Sequence, residues 1–452
     1  MSDKDQAGPV GKGKRFLKLA GMTASVAGNY ARTRIKSAFQ EAGEAARERA
    51  ETHSLNGERI AKTLGELKGA AMKVGQMASV AGDVLPRELA TALKSLQKEA
   101  PPMPYEVIAA QIEAELGAPP EVLFSRFDRE PFAAASIGQV HRAQVDDGRE
   151  VVVKVQYPGV DKSVDSDLTH LKIALKASGL VKVDAKALNA LFEELRARLH
   201  EELDYCNEAD NVRAFRQYHA RHDFITIPEV VGERSAKRVL TLTYEPGTNI
   251  NSLDDEGFDQ ETRDLIGAHL FEMTLSQLFD FGSIHADPNP ANFSFRKDGS
   301  IVLYDFGCVK KLKPEIATAY RDTIVAGIRE DYDGIEAGLQ ALGARAPGGP
   351  PVEYSYYKQW RDMILTPFLC EGPFDYRRST IHDELKAMIP GLLKRYASFQ
   401  PPAELVFVDR VVGGHYGNLR IIGSKGRFLD IVLTYLSPDG ELAEVIARQG
   451  AR

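Results

Sequence analysis

The chain is 452 residues long, with 43% hydrophobic residues, 27% charged residues and a formal net charge of −7. This length allows two or three domains and a large buried core, and the composition is typical of globular proteins. The acidic balance argues against nucleic acid as the main partner. Three cysteines without C-x-x-C or Cys/His spacing argue against a disulfide framework and a structural zinc. No apolar run reaches the roughly 18 residues of a membrane-spanning helix, so we predict a cytoplasmic protein without a span.

Residues 1–40 form a basic tail. The first 36 residues contain eight Lys and Arg against two Asp, a net charge of +6. Four apolar side chains recur in this tail at helical spacing: Leu19, Met22, Val26 and Tyr30. Such a segment suits peripheral contact with an anionic membrane surface, and it equally suits a basic helix packed on its own domain.

Residues 41–104 are predicted to be helical because they are rich in alanine and free of proline until Pro86. Lys73 and Gln76 are three residues apart, so they share one face of a helix. Small residues around them would allow close approach to another surface. From the spacing alone, a helix–helix contact with an exposed lysine is the simpler interpretation.

The run from Phe132 to Val155 contains two β-rich segments around Asp147-Gly148, which predicts a hairpin. Aligned with the kinase pattern G-x-G-x-x-G-x-V, this run predicts a loop that covers a nucleotide, followed by a strand that carries Lys154 toward the phosphates. The predicted loop residues are Ala133, Ala134, Ala135, Ser136, Gly138 and Val140. Alanine at the usual glycine positions narrows the accessible φ range, so this loop should be stiffer than its kinase counterpart.

Leu188 to Phe215 is predicted to be one long charged helix. In kinases a helix at this point supplies a glutamate that pairs with the strand lysine. Glu202, Asp204 and Glu208 are the acidic candidates, and the spacing does not choose among them. A second β-rich run, at 238–245, corresponds to the strand before the kinase hinge, where Glu245 would contact adenine.

The region 258–282 is predicted to be a helix leading into a catalytic loop. Asp287 is followed five residues later by Asn292, and then by Asp305-Phe306-Gly307. This order matches the kinase H-x-D-x-x-x-x-N loop and D-F-G. In that chemistry, Asp287 is the carboxylate near the attacking oxygen, and Asn292 and Asp305 hold Mg²⁺ against the phosphates. After Pro314 the pattern is mostly helical.

Five motifs occur in order: K-x-G-Q at 73–76, A-A-A-S-I-G-Q-V-H at 133–141, E-x-D at 202–204, H-A-D-P at 285–288 and D-F-G at 305–307. On these motifs the chain resembles the UbiB-type atypical kinase-like family, which serves ubiquinone biosynthesis. The resemblance is strong from about residue 60 to about residue 310 and looser beyond.

The resemblance implies an N-terminal extension folded across the active site. Lys73 and Gln76 would lie on it, with Lys73 facing Glu202 and Asp204. Because this extension fills the site where a peptide would bind, the resemblance implies ATP hydrolysis or lipid-linked phosphoryl transfer rather than protein phosphorylation. The process supported would be ubiquinone biosynthesis or lipid homeostasis. The implied ligands are ATP, Mg²⁺ and a lipid or quinone precursor.

The resemblance also implies that Glu208 pairs with Lys154. The chain departs from the family pattern in two places. The usual H-P-G-N ending appears as Asn289-Pro290-Ala291-Asn292, which keeps the metal ligand. The C-terminal membrane spans of some members are absent, which leaves the basic tail as the segment for membrane contact.

We therefore expect an α+β bilobal kinase-like fold. A small antiparallel sheet with inserted helices would occupy 105–247, a helical lobe 248–452, and the helical extension would precede both. Two alternatives remain open. One is a small-molecule kinase of the aminoglycoside or choline phosphotransferase type, and the other is a nucleotide-gated scaffold without turnover.

Overall fold

The computed structural model describes residues 102–135, 137–161, 185–370, 372–400, 402–437 and 441–443, with residues 21, 25 and 446 and several positions between 164 and 173. The K-x-G-Q motif with Lys73 and Gln76, nearly all of the basic tail, and Ser136 lie outside the described residues. The chain divides into two compact units. The first comprises Met1–Asp210 and Glu229–Tyr244, and the second Asn211–Pro228 and Glu245–Arg452.

The described residues form helices and strands that are numbered in chain order. The helices are α1 Tyr105–Leu116, α2 Pro120–Leu123, α3 Ala185–Glu202, α4 Tyr205–His219, α5 Gln260–Ser276, α6 Pro314–Ile328, α7 Tyr332–Ala341, α8 Tyr354–Leu369, α9 Ile381–Lys394, α10 Ala403–Ile422 and α11 Phe428–Leu436. The strands are β1 Arg126–Phe127, β2 Ala133–Ala135, β3 Gly138–Gln144, β4 Glu150–Gln156, β5 Ile225–Thr226, β6 Val239–Thr243, β7 Thr248–Asn249, β8 Ser283–His285, β9 Phe293–Phe295, β10 Ile301–Leu303, β11 Val309–Lys311, β12 Phe374–Asp375 and β13 Lys425–Gly426.

The first unit contains an antiparallel sheet in the order β1-β3-β4-β6, with β2 also paired to β3. The predicted hairpin around Asp147-Gly148 is confirmed, and Gly148 adopts a φ of 87°, which favours glycine. Along β4, Val151, Val153 and Val155 are fully buried. Because side chains alternate across a strand, Lys154 lies on the opposite face from these valines.

The second unit contains the strands β5-β10-β9-β7, in which β9 and β10 form an antiparallel pair, and a separate pair formed by β8 and β11. Asn292 directly precedes β9, and Asp305 lies two residues after the end of β10. The Tyr304 N–H donates to the Asn292 carbonyl at 3.0 Å, which continues the ladder. This pairing brings the backbones of Asn292 and Asp305 close together.

The predicted single helix from Leu188 to Phe215 was wrong. The structure has two helices, α3 and α4, separated by Leu203 and Asp204. The Asp204 carboxylate accepts a hydrogen bond from the Cys206 N–H at 3.0 Å. An aspartate in this position satisfies an otherwise unpaired N–H at a helix start, so it favours a new helix over continuation of the old one.

The helix predicted before the catalytic loop also differs in its last turn. The α-helical part, α5, ends at Ser276, and Gln277–Phe281 follow as a π-helical turn. Among the described helices, none is both long enough and apolar enough to cross a membrane.

A neutral histidine in the second unit should make stability depend on pH. His415 on α10 is 5% exposed and packs edge-on against the Phe293 ring at 5.3 Å. Burial, with a smaller contribution from nearby His285, lowers the pKa of His415 from 6.5 to about 3. Between pH 6.5 and about pH 3, the unfolded chain therefore binds more protons than the folded chain. The stability that His415 contributes is complete above about pH 6.5 and is lost as the pH falls toward 3.

We expect the free energy of unfolding to fall by a few kcal/mol per such histidine between pH about 6.5 and about 3. His415→Leu should make this fall shallower, because the variant removes one of the linked protons. Urea unfolding at a series of pH values measures the slope. His382→Leu, at an exposed position, is the control. Equal slopes for wild type and His415→Leu would contradict the prediction.

Candidate functional site

Lys154 and Glu208 form a salt bridge within the first unit. The Lys154 Nζ donates to both carboxylate oxygens of Glu208 at 2.9 Å. The side chains are 16% and 4% exposed, so this ion pair is largely withdrawn from solvent. The Lys154 ammonium also lies 5.1 Å from the centre of the Tyr205 ring. Of the three acidic candidates in the sequence, the structure therefore joins Glu208 to Lys154.

The other two acidic candidates have different positions. Asp204 caps the start of α4, and Glu202 is the last residue of α3. The resemblance implies that Lys73 faces both of these carboxylates, but Lys73 lies outside the described residues. Their role opposite this lysine therefore stays a prediction.

The alanine-rich loop forms a tight antiparallel turn. Ala133 pairs with Val140, Ala134 with Gln139, and Ala135 with Gly138. A Cβ on Gly138 would lie 2.1 Å from the Val155 carbonyl oxygen, so only glycine fits this position of the ladder. The pairing places Ala133–Ala135 beside Gly138–Val140, and the role of these residues in covering a nucleotide stays a prediction.

The polar residues at the end of this motif have a structural role. The side-chain Oε1 of Gln139 accepts from the Met103 N–H at 2.8 Å. The side-chain Nε2 of Gln139 lies 2.9 Å from the His141 Nε2. The His141 Nδ1 lies 2.8 Å from the Asp128 carbonyl, so Nδ1 carries the proton and Nε2 accepts from Gln139. Sequence reasoning assigned no role to this buried network.

Glu245 begins the second unit after the strand β6. Its carboxylate pairs with Arg296 at 2.9 Å, and its carbonyl accepts from the Tyr304 hydroxyl at 2.9 Å. The hinge role stays a prediction.

Both carboxylate oxygens of Asp287 have hydrogen-bond partners. Asn292 Nδ2 donates to Oδ2 at 3.0 Å, and Arg410 Nη2 lies 3.3 Å from Oδ1. Because the amide nitrogen of Asn292 points at Asp287, its Oδ1 is the atom left to act as a metal ligand. The catalytic loop thus fixes the orientation of the amide that a cation would need.

The D-F-G segment is anchored by a buried histidine and a phenylalanine. His285 Nε2 lies 2.5 Å from the Asp305 carbonyl and therefore donates its proton to it. Burial lowers the pKa of His285. Phe306 is 1% exposed and packs against the rings of His285 and Phe215 at 5.5 and 5.2 Å. The Asp305 Oδ1 accepts from the Gly307 N–H at 3.0 Å.

Asn292 of the predicted catalytic loop and Asp305 of the D-F-G segment have side chains that could hold a magnesium ion together with phosphates. Within the part of the chain that the structure describes, no cluster of three or more His, Cys, Asp or Glu side chains forms a metal site. Kinase-type chemistry needs fewer protein ligands, because phosphate oxygens and water complete the octahedron. Asn292 and Asp305 offer the amide and carboxylate oxygens that Mg²⁺ prefers, on backbones joined by the Tyr304–Asn292 hydrogen bond.

Sequence reasoning missed the contribution of α10. This helix contacts the predicted catalytic loop, at Asp287 and Pro288, from three positions spaced four residues apart. Arg410 reaches Asp287, and the Asn418 amide donates to the Pro288 carbonyl at 3.0 Å. Between them, a Cβ on Gly414 would lie 2.2 Å from the Pro288 Cγ. The sequence did contain a signal for this contact. Arg410, Gly414 and Asn418 recur every four residues, which places them on one face of a helix.

Comparison with known proteins gives a family match. A family model, the ABC1 atypical kinase-like domain, matches residues 95–338. A solved structure, the complex of Rv3197 with erythromycin from Mycobacterium tuberculosis, is 30% identical with a TM-score of 0.63. The alignment covers 88% of this chain and 98% of that one. Together with the antiparallel sheet, these matches confirm the α+β kinase-like fold.

Several curated proteins are similar in sequence. The Arabidopsis thaliana protein ACTIVITY OF BC1 COMPLEX KINASE 7, chloroplastic, is 33% identical over 84% of this chain and 53% of its own length. The probable serine/threonine-protein kinase abkA of Dictyostelium discoideum is 31% identical over 89% and 74%. The atypical kinase COQ8, mitochondrial, of Saccharomyces cerevisiae is 32% identical over 79% and 72%. The chain thus spans about half of the first relative and about three quarters of the other two.

The Lys154–Glu208 pair should behave as one unit in stability measurements. Removing one partner from a largely buried ion pair leaves an uncompensated charge, at a cost of about 3 kcal/mol. We expect Lys154→Met and Glu208→Gln each to lower the free energy of unfolding, and the double variant to lose less than the sum. Urea unfolding of the four proteins gives the coupling free energy. A coupling near zero would contradict the pairing.

Adjacent glycines on α10 provide a matched test of the contact with the catalytic turn. Gly413→Ala meets no atom within 4 Å and should stabilise the helix by about 1 kcal/mol. Gly414→Ala would collide with the Pro288 ring, so it should destabilise the protein by about 1–3 kcal/mol. Thermal unfolding of both variants measures the difference. Equal stabilities for the two would show that α10 does not bear on this turn.

Proposed function

The chain belongs to the ABC1 atypical kinase-like family, the group that its motifs indicated, and on this basis we propose that it is a magnesium-dependent ATPase or phosphotransferase supporting prenyl-quinone metabolism. The observation that carries the proposal is the linked arrangement of Asp287, Asn292 and Asp305. The Asn292 amide donates to the Asp287 carboxylate at 3.0 Å. Asp305 comes shortly after β10, and β10 pairs with β9, the strand that Asn292 precedes.

Each residue has a distinct chemical task in this proposal. Asn292 and Asp305 would hold Mg²⁺, which when bound neutralises the phosphate charge. Lys154, oriented by Glu208, would bind phosphate oxygens, and the loop at 133–140 would cover the nucleotide. Asp287 would orient the attacking oxygen.

The acceptor that we propose is small. Arg410 and Asn292 donate to the two oxygens of Asp287. Each carboxylate oxygen has a second lone pair, so an attacking water or hydroxyl can still donate to Asp287. The N-terminal extension that the resemblance implies would fill the site where a peptide binds, which favours water or a small lipid-linked acceptor over a folded protein. ATP hydrolysis is accordingly the reaction that we propose first.

Magnesium-dependent nucleotide binding is the first test. We expect ATP with Mg²⁺ to raise the melting temperature of wild type, and Asp305→Asn to lose most of this shift, because the metal loses a charged ligand. The matched control is Asp322→Asn at an exposed position of α6, which should behave as wild type. An equal shift for wild type and Asp305→Asn would rule out the proposed metal site.

The pathway needs a test in cells. The resemblance to a family that serves ubiquinone biosynthesis, together with the relative named COQ8, supports a role in prenyl-quinone synthesis. We expect a deletion strain to have lowered quinone levels, restored by the wild-type gene and not by Asp305→Asn. Unchanged quinone levels in the deletion strain would remove the pathway while leaving nucleotide binding untouched. A lipid or quinone-precursor ligand, and membrane contact by the basic tail, are further parts of this proposal.

The two alternatives give different results in the same assays. A small-molecule kinase would consume ATP only with a soluble acceptor such as an aminoglycoside or choline. A nucleotide-gated scaffold would show the magnesium-dependent shift without any ATP turnover. The alanine-rich loop and the K-x-G-Q motif argue against the first, and the presence of Lys154, Asp287, Asn292 and Asp305 argues against the second.

A further inference from the structure

A buried glutamine lies behind the catalytic loop, outside every motif described above. Gln277 is the first residue of the π-helical turn that follows α5, and it is 3% exposed. Its Oε1 accepts from the backbone N–H of His285 at 2.9 Å. Its Nε2 lies 3.2 Å from the Nε2 of His219, near the end of α4. Gln277 therefore joins two elements of the second unit that are distant in sequence.

The backbone N–H of His285 fixes which atoms donate and which accept in this series of hydrogen bonds. A backbone N–H can only donate, so the carbonyl side of the Gln277 amide must face His285. The NH₂ side then faces His219, whose Nε2 must accept. His219 is therefore the neutral tautomer with its proton on Nδ1, which lies 3.1 Å from the Nδ1 of His222. Each donor in the chain points away from the catalytic loop, from His285 through Gln277 and His219 to His222.

The surroundings hold this glutamine in place. Tyr218, next to His219, stacks on Phe281 of the same π-helical turn, with ring centres 4.2 Å apart and planes 10° apart. The Tyr218 hydroxyl donates to the Ser276 carbonyl at 2.8 Å, and Arg221 forms an ion pair with Asp280 at 3.1 Å. The end of α4 is thus attached on both sides of Gln277. π-Helical turns are rare and are often found at functional sites.

The consequence for the site follows from what His285 does. Its ring donates to the carbonyl of Asp305, and its own backbone stands two residues before Asp287. A residue that fixes the His285 backbone therefore bears on both carboxylates. We propose that Gln277 is a positioning residue, which holds His285 so that Asp287 and Asp305 keep the geometry needed for magnesium and phosphate. The catalytic part of this inference rests on the proposed function, and the structural part does not.

Two substitutions separate the hydrogen bonds of Gln277 from its volume. Gln277→Met keeps the length of the side chain and removes both hydrogen bonds. Gln277→Glu keeps an acceptor for the His285 N–H, and its second oxygen can pair with a protonated His219, which would still donate from Nδ1 to His222. Thr274→Val is the matched control, because it removes a buried hydroxyl bonded to the Leu270 carbonyl in α5 without contacting His285.

The first measurement needs no nucleotide. Hydrogen–deuterium exchange of the unliganded protein reports the protection of the segment at 283–292. We expect exchange there to be about tenfold faster in Gln277→Met than in wild type, and close to wild type in Gln277→Glu and Thr274→Val. Equal protection in wild type and Gln277→Met would overturn the proposal. If Gln277→Met fails to fold, faster exchange confined to this segment in Gln277→Asn, whose side chain is too short for both contacts, takes its place.

The second measurement addresses the chemistry. The Mg²⁺ concentration that gives half of the ATP-induced thermal shift should rise about tenfold in Gln277→Met, and Gln277→Glu should restore most of it. Binding of ADP without Mg²⁺ should be the same in all variants. An unchanged Mg²⁺ requirement in Gln277→Met, alongside faster exchange, would overturn the positioning of the metal site and leave a structural contact only. If wild type shows no magnesium-dependent shift, the proposed function fails, and the exchange data alone decide whether Gln277 holds His285.

Discussion

The hydrogen bond from the His285 ring to the Asp305 carbonyl joins the two motifs on which the second unit depends. The carbonyl can only accept, so Nε2 of the ring carries a proton, and the neutral form that makes this bond is the Nε2–H tautomer. Burial lowers the pKa of His285, so the same environment that packs Phe306 against the ring also favours this neutral form. The hydrogen bond holds the backbone of Asp305, the proposed metal ligand, and the hydrophobic packing holds Phe306, the residue that follows it.

The charged groups of the proposed site are matched within each unit. In the first unit the Lys154 ammonium meets the Glu208 carboxylate, and in the second the Arg410 guanidinium meets Asp287. Buried or half-buried charges are costly unless they are paired, so such pairs fix geometry more than they add stability. The guanidinium beside Asp287 comes from α10, which lies outside the residues that the family model matches. The predicted catalytic loop is therefore contacted by a helix more than a hundred residues away in sequence.

Helices showed where periodicity is a sufficient guide and where it is not. Helix α1 starts directly after Pro104 and ends directly before Gly117, and both of these boundary residues are visible in the sequence. The division between α3 and α4 was missed, because Leu203 and Asp204 fit a continuous helical pattern. Asp204 is equally compatible with a helix surface and with a helix start, and only its hydrogen bond to the Cys206 N–H distinguishes the two. The π-helical turn after α5 likewise leaves no trace in the spacing of apolar residues.

From the amino-acid sequence alone we predicted the kinase-like fold class, the hairpin whose second strand carries Lys154, and the order of Asp287, Asn292 and Asp305. These features depend on local spacing, turn chemistry and strand alternation, which a single chain displays directly. The spacing left three acidic candidates for Lys154, the family resemblance pointed to Glu208, and the structure shows that contact. Only the tertiary structure placed Arg410 on Asp287 and Gln277 beside His285. Such contacts join residues from 8 to 123 positions apart in the chain. They depend on how whole elements pack, and no local pattern in the sequence specifies that packing.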